Sequence, residues 1–205
     1  EVSMVFGLHP WEATGHDVVQ EGLKSLEAAL ERSPAPVAIG ETGLDRGRRH
    51  KSNLGYQRAS LMGHLRLALE RDLPVVLHVV QAHGLMLDIL RDLPCPPRAV
   101  VHAFDASLEV AKGYEALGIH LSIGGRVCAP NARRLHRAAP QLNRSLLLIE
   151  TDSPDQHPSG TAVELNEPAN LLTIATRLAA LRGEDPLEVG VYTAQNARRL
   201  FRLGV

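Results

Sequence analysis

The stretch Pro74–His102, PVVLHVVQAHGLMLDILRDLPCPPRAVVH, reads as a strand, a helix and a second strand. Pro74–His78 is a short apolar run rich in β-branched residues, and His83–Leu90 places apolar residues at three- and four-residue spacing. Pro94, Pro96 and Pro97 then stop the helix, and the apolar run Ala99–His102 follows. Both strands end on a histidine.

The same alternation continues in both directions. Strands are expected at Met4–Leu8, Val37–Gly40, His120–Ile123 and Leu146–Glu150. Met4–Leu8 reads as a core strand. Helices are expected at His16–Glu31, Gln57–Arg71, Ser107–Leu117, Ala132–Ala138, Pro168–Arg182 and Pro186–Phe201. Pro34, Pro36 and Pro74 mark further helix-to-strand joints. Strict alternation implies right-handed βαβ units and a parallel sheet, hence an α/β fold. Short strands that are apolar on both faces fit a parallel barrel or a doubly wound sheet. The first strand is followed by no GxGxxG turn, which argues against a dinucleotide-binding fold. Six βα units are legible where a (β/α)8 barrel has eight. The deficit corresponds to roughly 50–60 residues at the usual barrel length of about 250, and is expected to precede Glu1.

Composition narrows the function. The 205 residues are 44% hydrophobic and 22% charged, enough apolar content to bury a core. One domain over residues 1–205 is expected. A net charge of −1 excludes a histone-like binder acting through bulk charge, but not a local anion pocket. Runs such as Leu146–Ile149 are far too short to span a bilayer, and the start shows no signal-peptide pattern. Cys95 and Cys128 lie far apart without CxxC spacing, which fits a reducing, cytoplasmic setting.

Residues with acid–base and metal-ligating capacity fall at strand ends: His9, Glu41, His78, His102, and Glu150 with Asp152. In parallel α/β proteins sites are built at that edge. Packing does not explain five such ends, because these side chains are expensive to bury without partners. Imidazole with carboxylate suits Zn, Mn or Fe. Glu41, His78 and His102 make a three-ligand set with open positions, the catalytic rather than the structural pattern. Asp152 is a ligand or a base.

Five blocks occur in order: Phe6-Gly7-Leu8-His9-Pro10, Ile39-Gly40-Glu41-Thr42-Gly43-Leu44-Asp45, Val101-His102-Ala103-Phe104, Glu150-Thr151-Asp152-Ser153-Pro154 and Asn166-Glu167-Pro168. Asn196-Ala197-Arg198-Arg199-Leu200-Phe201 follows. The chain thereby resembles the TatD family of metal-dependent hydrolases, in the amidohydrolase superfamily. The resemblance implies a TIM-type barrel, a pair of divalent ions (Zn, Mg or Mn), and hydrolysis of DNA phosphodiesters, as a deoxyribonuclease acting on exposed nucleic-acid ends. It implies that Glu41 bridges the metals, that His78 and His102 serve one ion, that Asp152 serves the other and acts as base, and that His9 contacts substrate. The family's His-x-His pair occurs nowhere in the sequence, so at most one tightly held ion is expected. Val80 and Leu165 stand where the family usually has arginines. Two other readings compete: a metal hydrolase of another ester or amide bond, and a shortened scaffold with impaired catalysis.

The remaining candidates are weaker. The basic run Arg46–Lys51 is either a phosphate contact or a solvated loop. Trp11 either covers the pocket beside His9 or packs in the core. Gln57 is expected to open a helix, and Asp105 to make a turn or cap. His64, His120 and His136 are assigned no role, and nothing near Cys128 marks it as a nucleophile.

Overall fold

The structure is a computed structural model, and it describes residues 2–32, 35–159 and 165–204. The chain divides into two compact units, Glu1–Val100 with Leu200–Val205, and Val101–Arg199.

The first unit contains β1 (Val5–Phe6), α1 (His16–Leu30), β2 (Ala38–Asp45), α2 (Leu54–Arg71), β3 (Val75–Val80) and α3 (His83–Asp92). β1 pairs with β2 and β2 with β3, all parallel, as alternation predicts. α1 buries Val19, Leu26 and Leu30 at seven- and four-residue steps, one stripe of a helix. α2 buries Leu61, Leu65 and Ala68 along the stripe that also carries Gln57 and His64. The chain leaves α2 through Asp72 in a left-handed conformation.

The three strands of the first unit differ from expectation. β1 spans two residues, and Val5 is 37% exposed, so Met4–Leu8 is not a core strand. The backbone N–H of Leu8 turns instead to the His64 ring, 2.9 Å away. β3 runs two residues past His78. β2 does not stop at Gly40 but continues through Glu41 to Asp45. Its ladder with β3 shifts between Ile39↔Val75 and Thr42↔Leu77, so one extra residue is accommodated beside Glu41. Such a bulge re-aims a side chain. Pro34 lies outside the described residues.

Gly43 makes the extension possible. It pairs with His78 at a φ of +153°, and a Cβ there would lie 1.9 Å from the His78 carbonyl oxygen. Gly43→Ala is expected to destabilise the fold by about 3 kcal/mol, through backbone strain and overpacking together. A urea melt checks this, and a loss under 1 kcal/mol would contradict it.

The second unit contains α4 (Leu108–Glu115), β5 (His120–Ile123), α5 (Arg133–Ala138), β6 (Leu147–Ile149), α6 (Leu171–Arg182) and most of α7 (Pro186–Phe201), after the chain enters through β4 (Ala99–Val101). β5 and β6 pair in parallel, Leu121↔Leu147 to Ile123↔Ile149. Ser107 caps α4 by accepting from the Val110 N–H. Pro168 opens a 3-10 turn that leads into α6, a place where its missing N–H is harmless. Asn196 of α7 donates to the carbonyls of Arg144 and Leu147, both at 2.7 Å, and ties the helix to β6. This gives the late Asn196–Phe201 block a structural role.

Candidate metal centre

The first unit gathers His9, Glu41 and His78, whose ligand-capable atoms all lie within 4.8 Å of one another. His9 Nε2 is 3.5 Å and His78 Nδ1 3.7 Å from Glu41 Oε2. His9 Nε2 is 3.3 Å from His78 Nδ1. The His78 side chain is 9% exposed and that of Glu41 33%, so the histidine is enclosed and the carboxylate faces an opening.

Hydrogen bonds fix which atom of His78 is available. Its Nε2 lies 3.3 Å from Asp45 Oδ2. A carboxylate accepts only, so the proton sits on Nε2 and the Nδ1 lone pair points to Glu41 and His9. His9 is oriented the opposite way. Its Nδ1 accepts from the Trp11 N–H at 3.3 Å, which leaves the proton on Nε2, facing His78 and Glu41. His78 thus presents a lone pair, and His9 an N–H, to the space beside Glu41.

Asp45 is the functional residue that sequence reading missed. It is 4% exposed and accepts from Trp11 Nε1–H and Gly47 N–H, each at 2.6 Å, besides His78. Burial pushes its pKa up, but the bonds from Trp11, Gly47 and His78 outweigh burial and hold it below the usual carboxylate range. The available signal was its position four residues after Glu41, which puts both side chains on one side of a strand. Gln57 also points inward rather than simply opening α2. Fully buried, it accepts from the Asp45 N–H at 2.7 Å and donates to the carbonyls of Asp45 and His50 and to Asn53 Oδ1.

His64 is likewise not incidental. It is fully buried, with Nδ1–H donating to the Ser60 carbonyl at 2.7 Å and Nε2 accepting from Leu8 N–H. It thus anchors the residue before His9 and must be neutral to do so. Burial lowers its pKa below the ordinary 6.5, against a smaller upward pull from the Ser60 carbonyl. The unfolded chain then binds this proton first. His64 stabilises fully above pH 6.5, and that contribution is lost as pH falls below it, by at most about 1.4 kcal/mol per pH unit. Wild type is expected to lose about 1 kcal/mol more than His64→Gln between pH 7.5 and 5.5 in denaturant titrations. Equal losses would contradict the neutral-histidine assignment.

The second unit repeats the histidine–carboxylate device. His102 follows β4, its side chain 10% exposed, and its Nδ1 lies 3.4 Å from Glu150 Oε1. The same oxygen accepts from the Ala103 N–H at 2.6 Å. A carboxylate oxygen at that distance from Nδ1 favours the proton there, with the lone pair on Nε2. Asp152 has a left-handed backbone, φ +60°, and accepts from Gln156 Nε2–H at 2.5 Å. Its loop is held by the buried Asn166, whose amide donates to the carbonyls of Thr151 and Asp155. The Asn166-Glu167-Pro168 block therefore serves Asp152.

The sequence and the fold are matched by known proteins. The profile of the family described as TatD related DNase matches residues 1–202. The chain belongs to the TatD family. It is similar to the 3'-5' ssDNA/RNA exonuclease TatD of Yersinia pseudotuberculosis, at 38% identity over 96% of this chain and 76% of that protein. It is also similar to the Escherichia coli protein YjjV, described as an uncharacterized metal-dependent hydrolase, at 34% identity over 96% of this chain and 75% of that one. The crystal structure of YjjV, a TatD homolog, superposes with a TM-score of 0.88 at 33% identity, over 98% of this chain and 77% of that chain. The α/β fold of TIM-barrel type is thereby established.

The other candidates of this TatD chain resolve individually. Trp11 covers rather than fills the core: it is 48% exposed and its ring meets His9 and His78 edge-on. Asp105 makes no helix cap and instead pairs with Arg126 at 2.9 Å. His136 Nε2 lies 2.8 Å from the Val127 carbonyl, and His120 is on β5. Burial pushes the Cys128 thiol up, which disfavours a thiolate at neutral pH. Val80 and Leu165 are 36% and 69% exposed.

Proposed function

We propose that this chain is a metal-dependent phosphodiesterase that removes nucleotides from exposed ends of single-stranded DNA, within one hydrolase domain over residues 1–205. The observation that carries this is the cluster of Glu41 and His78, with Asp45 holding the histidine in the ligating tautomer, in a chain matched by the TatD profile along almost its whole length. Glu41, His78 and His102 are the proposed metal ligands, with Asp152 a further ligand and the general base. His9 is the proposed substrate contact.

The donor set fits a divalent ion: imidazole nitrogens with fixed lone pairs, and a half-exposed carboxylate. Zn, Mg and Mn are all compatible with it. When bound, such an ion acidifies water and polarises a phosphoryl oxygen. The protein's part is then to orient and to move protons. His9 Nε2–H points to the position beside Glu41 and is placed to donate to a phosphoryl oxygen. Asp152 is placed to accept the proton of the attacking water, and Gln156 Nε2–H orients it by donating to Oδ2. No helix among the described residues is long and apolar enough to cross a membrane. A cytoplasmic site of action is proposed from cysteine usage.

The test is incubation of the purified chain with Mg or Mn and an oligonucleotide labelled at its 5' end. Stepwise shortening from the 3' end, abolished by chelator, is expected by analogy with the exonuclease relatives. Hydrolysis of aryl esters without cleavage of single strands would favour the other ester or amide reading, consistent with Val80 and Leu165 at the arginine positions. Metal binding without any hydrolysis would favour the impaired scaffold.

A further inference from the structure

The mechanism does not use the basic loop after β2, although that loop is unusually well held. Gln57 fixes its carbonyls at Asp45 and His50, and Arg46 N–H donates to the Val80 carbonyl at 2.9 Å. Asn53 Nδ2–H donates to the carbonyls of Pro10 and Ala13, which joins this loop to the one carrying Trp11. The His50 ring stacks on Trp11 at 4.9 Å and 8°. Arg46, Arg48, Arg49 and Lys51 are all exposed, and among the described residues none of the four is in an ion pair. Four like charges within six residues repel one another unless an anion gathers them. An indole left 48% exposed on top of the His9–His78 pair offers a stacking surface beside those charges.

We propose that Trp11, His50 and the Arg46–Lys51 loop form a single-strand binding subsite: a nucleobase stacks on the Trp11–His50 pair while the loop cations neutralise flanking phosphates. Bases have π-faces whatever their identity, so this subsite grips single strands with little sequence preference and has nothing to stack in a duplex. The proposal rests on the phosphodiesterase reading for its biological meaning, but binding is measurable without turnover.

Trp11 is the single tryptophan of the chain, so its fluorescence reports on the subsite alone. In chelator, titration with an oligothymidine decamer is expected to quench that emission by more than half. An abasic decamer with the same phosphates is expected to bind about tenfold more weakly and to leave the emission unchanged. By anisotropy of a labelled decamer, Arg48→Ala/Arg49→Ala/Lys51→Ala is expected to weaken binding about tenfold and to flatten the dependence of log Kd on log salt by roughly two. Trp11→Ala is expected to weaken it about tenfold as well, whereas Trp11→Phe, which keeps a ring but loses the bond to Asp45, stays within about threefold. If Trp11 acts only by holding Asp45, Phe and Ala fail equally, and the proposal is overturned. It is also overturned if the wild type degrades single strands while Trp11 emission ignores the decamer and the triple variant keeps its KM. Quenching and loop dependence without metal-dependent cleavage would uphold the subsite and sink the phosphodiesterase reading instead.

Discussion

Glu41→Gln is expected to weaken binding of the tightly held ion by about 100-fold or more, while Asp152→Asn, whose carboxylate is proposed for the other ion, leaves that binding within a few-fold of wild type. The amide removes a negative charge and the better donor from the position that faces both His9 Nε2 and His78 Nδ1. Losing a mere supporting partner of a ligand commonly costs 10–100-fold, so loss of a direct ligand should exceed that. Asp152→Asn instead removes the base. Its expected signature is a fall in kcat of about 10²- to 10⁴-fold with ion binding retained. Equilibrium dialysis against Mn and single-strand cleavage assays, run on both variants, separate the two roles. Equal loss of metal in both would show that the roles are misassigned.

Asp45→Asn is expected to lower metal affinity 10- to 100-fold and stability by about 1–3 kcal/mol, although the residue touches no proposed substrate. Its carboxylate is met by three donors: Trp11 Nε1–H, Gly47 N–H and His78 Nε2–H. An asparagine has one oxygen, so either orientation of the amide turns its NH2 toward a donor in a buried place. With the NH2 at the Oδ2 place, His78 loses the acceptor that keeps its proton on Nε2, and a proton on Nδ1 occupies the proposed ligating lone pair; with the oxygen there, His78 keeps only a neutral, weaker acceptor and the Gly47 N–H faces the NH2. The loss should also alter the acid limb of stability. The folded-state pKa of Asp45 lies below 3.8, so its contribution is present above that pH and is lost as pH falls through the folded value. That part of the acid limb should be absent in the variant. Metal titrations and denaturant melts of Asp45→Asn check both effects, and wild-type affinity in a folded variant would contradict the orienting role.

The element pattern was legible because periodicity is a direct imprint of burial. His120–Ile123 and Pro186–Phe201 occur where the sequence places them, and His16–Leu30 ends one residue early. Departures occur where a specific partner overrides pattern. Gly43 and the polar residues around it read as the end of a strand, yet the glycine lets β2 lie against His78, and Asp45 is satisfied by three donors. Met4–Leu8 reads as a core strand, but His64 takes the Leu8 N–H and draws the chain out of the ladder. The candidate ligands were visible as residue types at strand ends. Their supporting contacts were not. Asp45, Glu150, Gln57 and Asn166 act through contacts to residues 12 to 47 positions away, and no local spacing encodes those contacts.

Glu41 and His78 Nδ1 are proposed to hold a divalent ion while Asp45 keeps the proton on Nε2. Anomalous diffraction from crystals of this chain grown with Mn tests that most directly. The predicted result is an anomalous peak bonded to Glu41 and to Nδ1 of His78, with Nε2 still on Asp45. A peak bonded through Nε2, or no peak at Glu41 at saturating Mn, would contradict it.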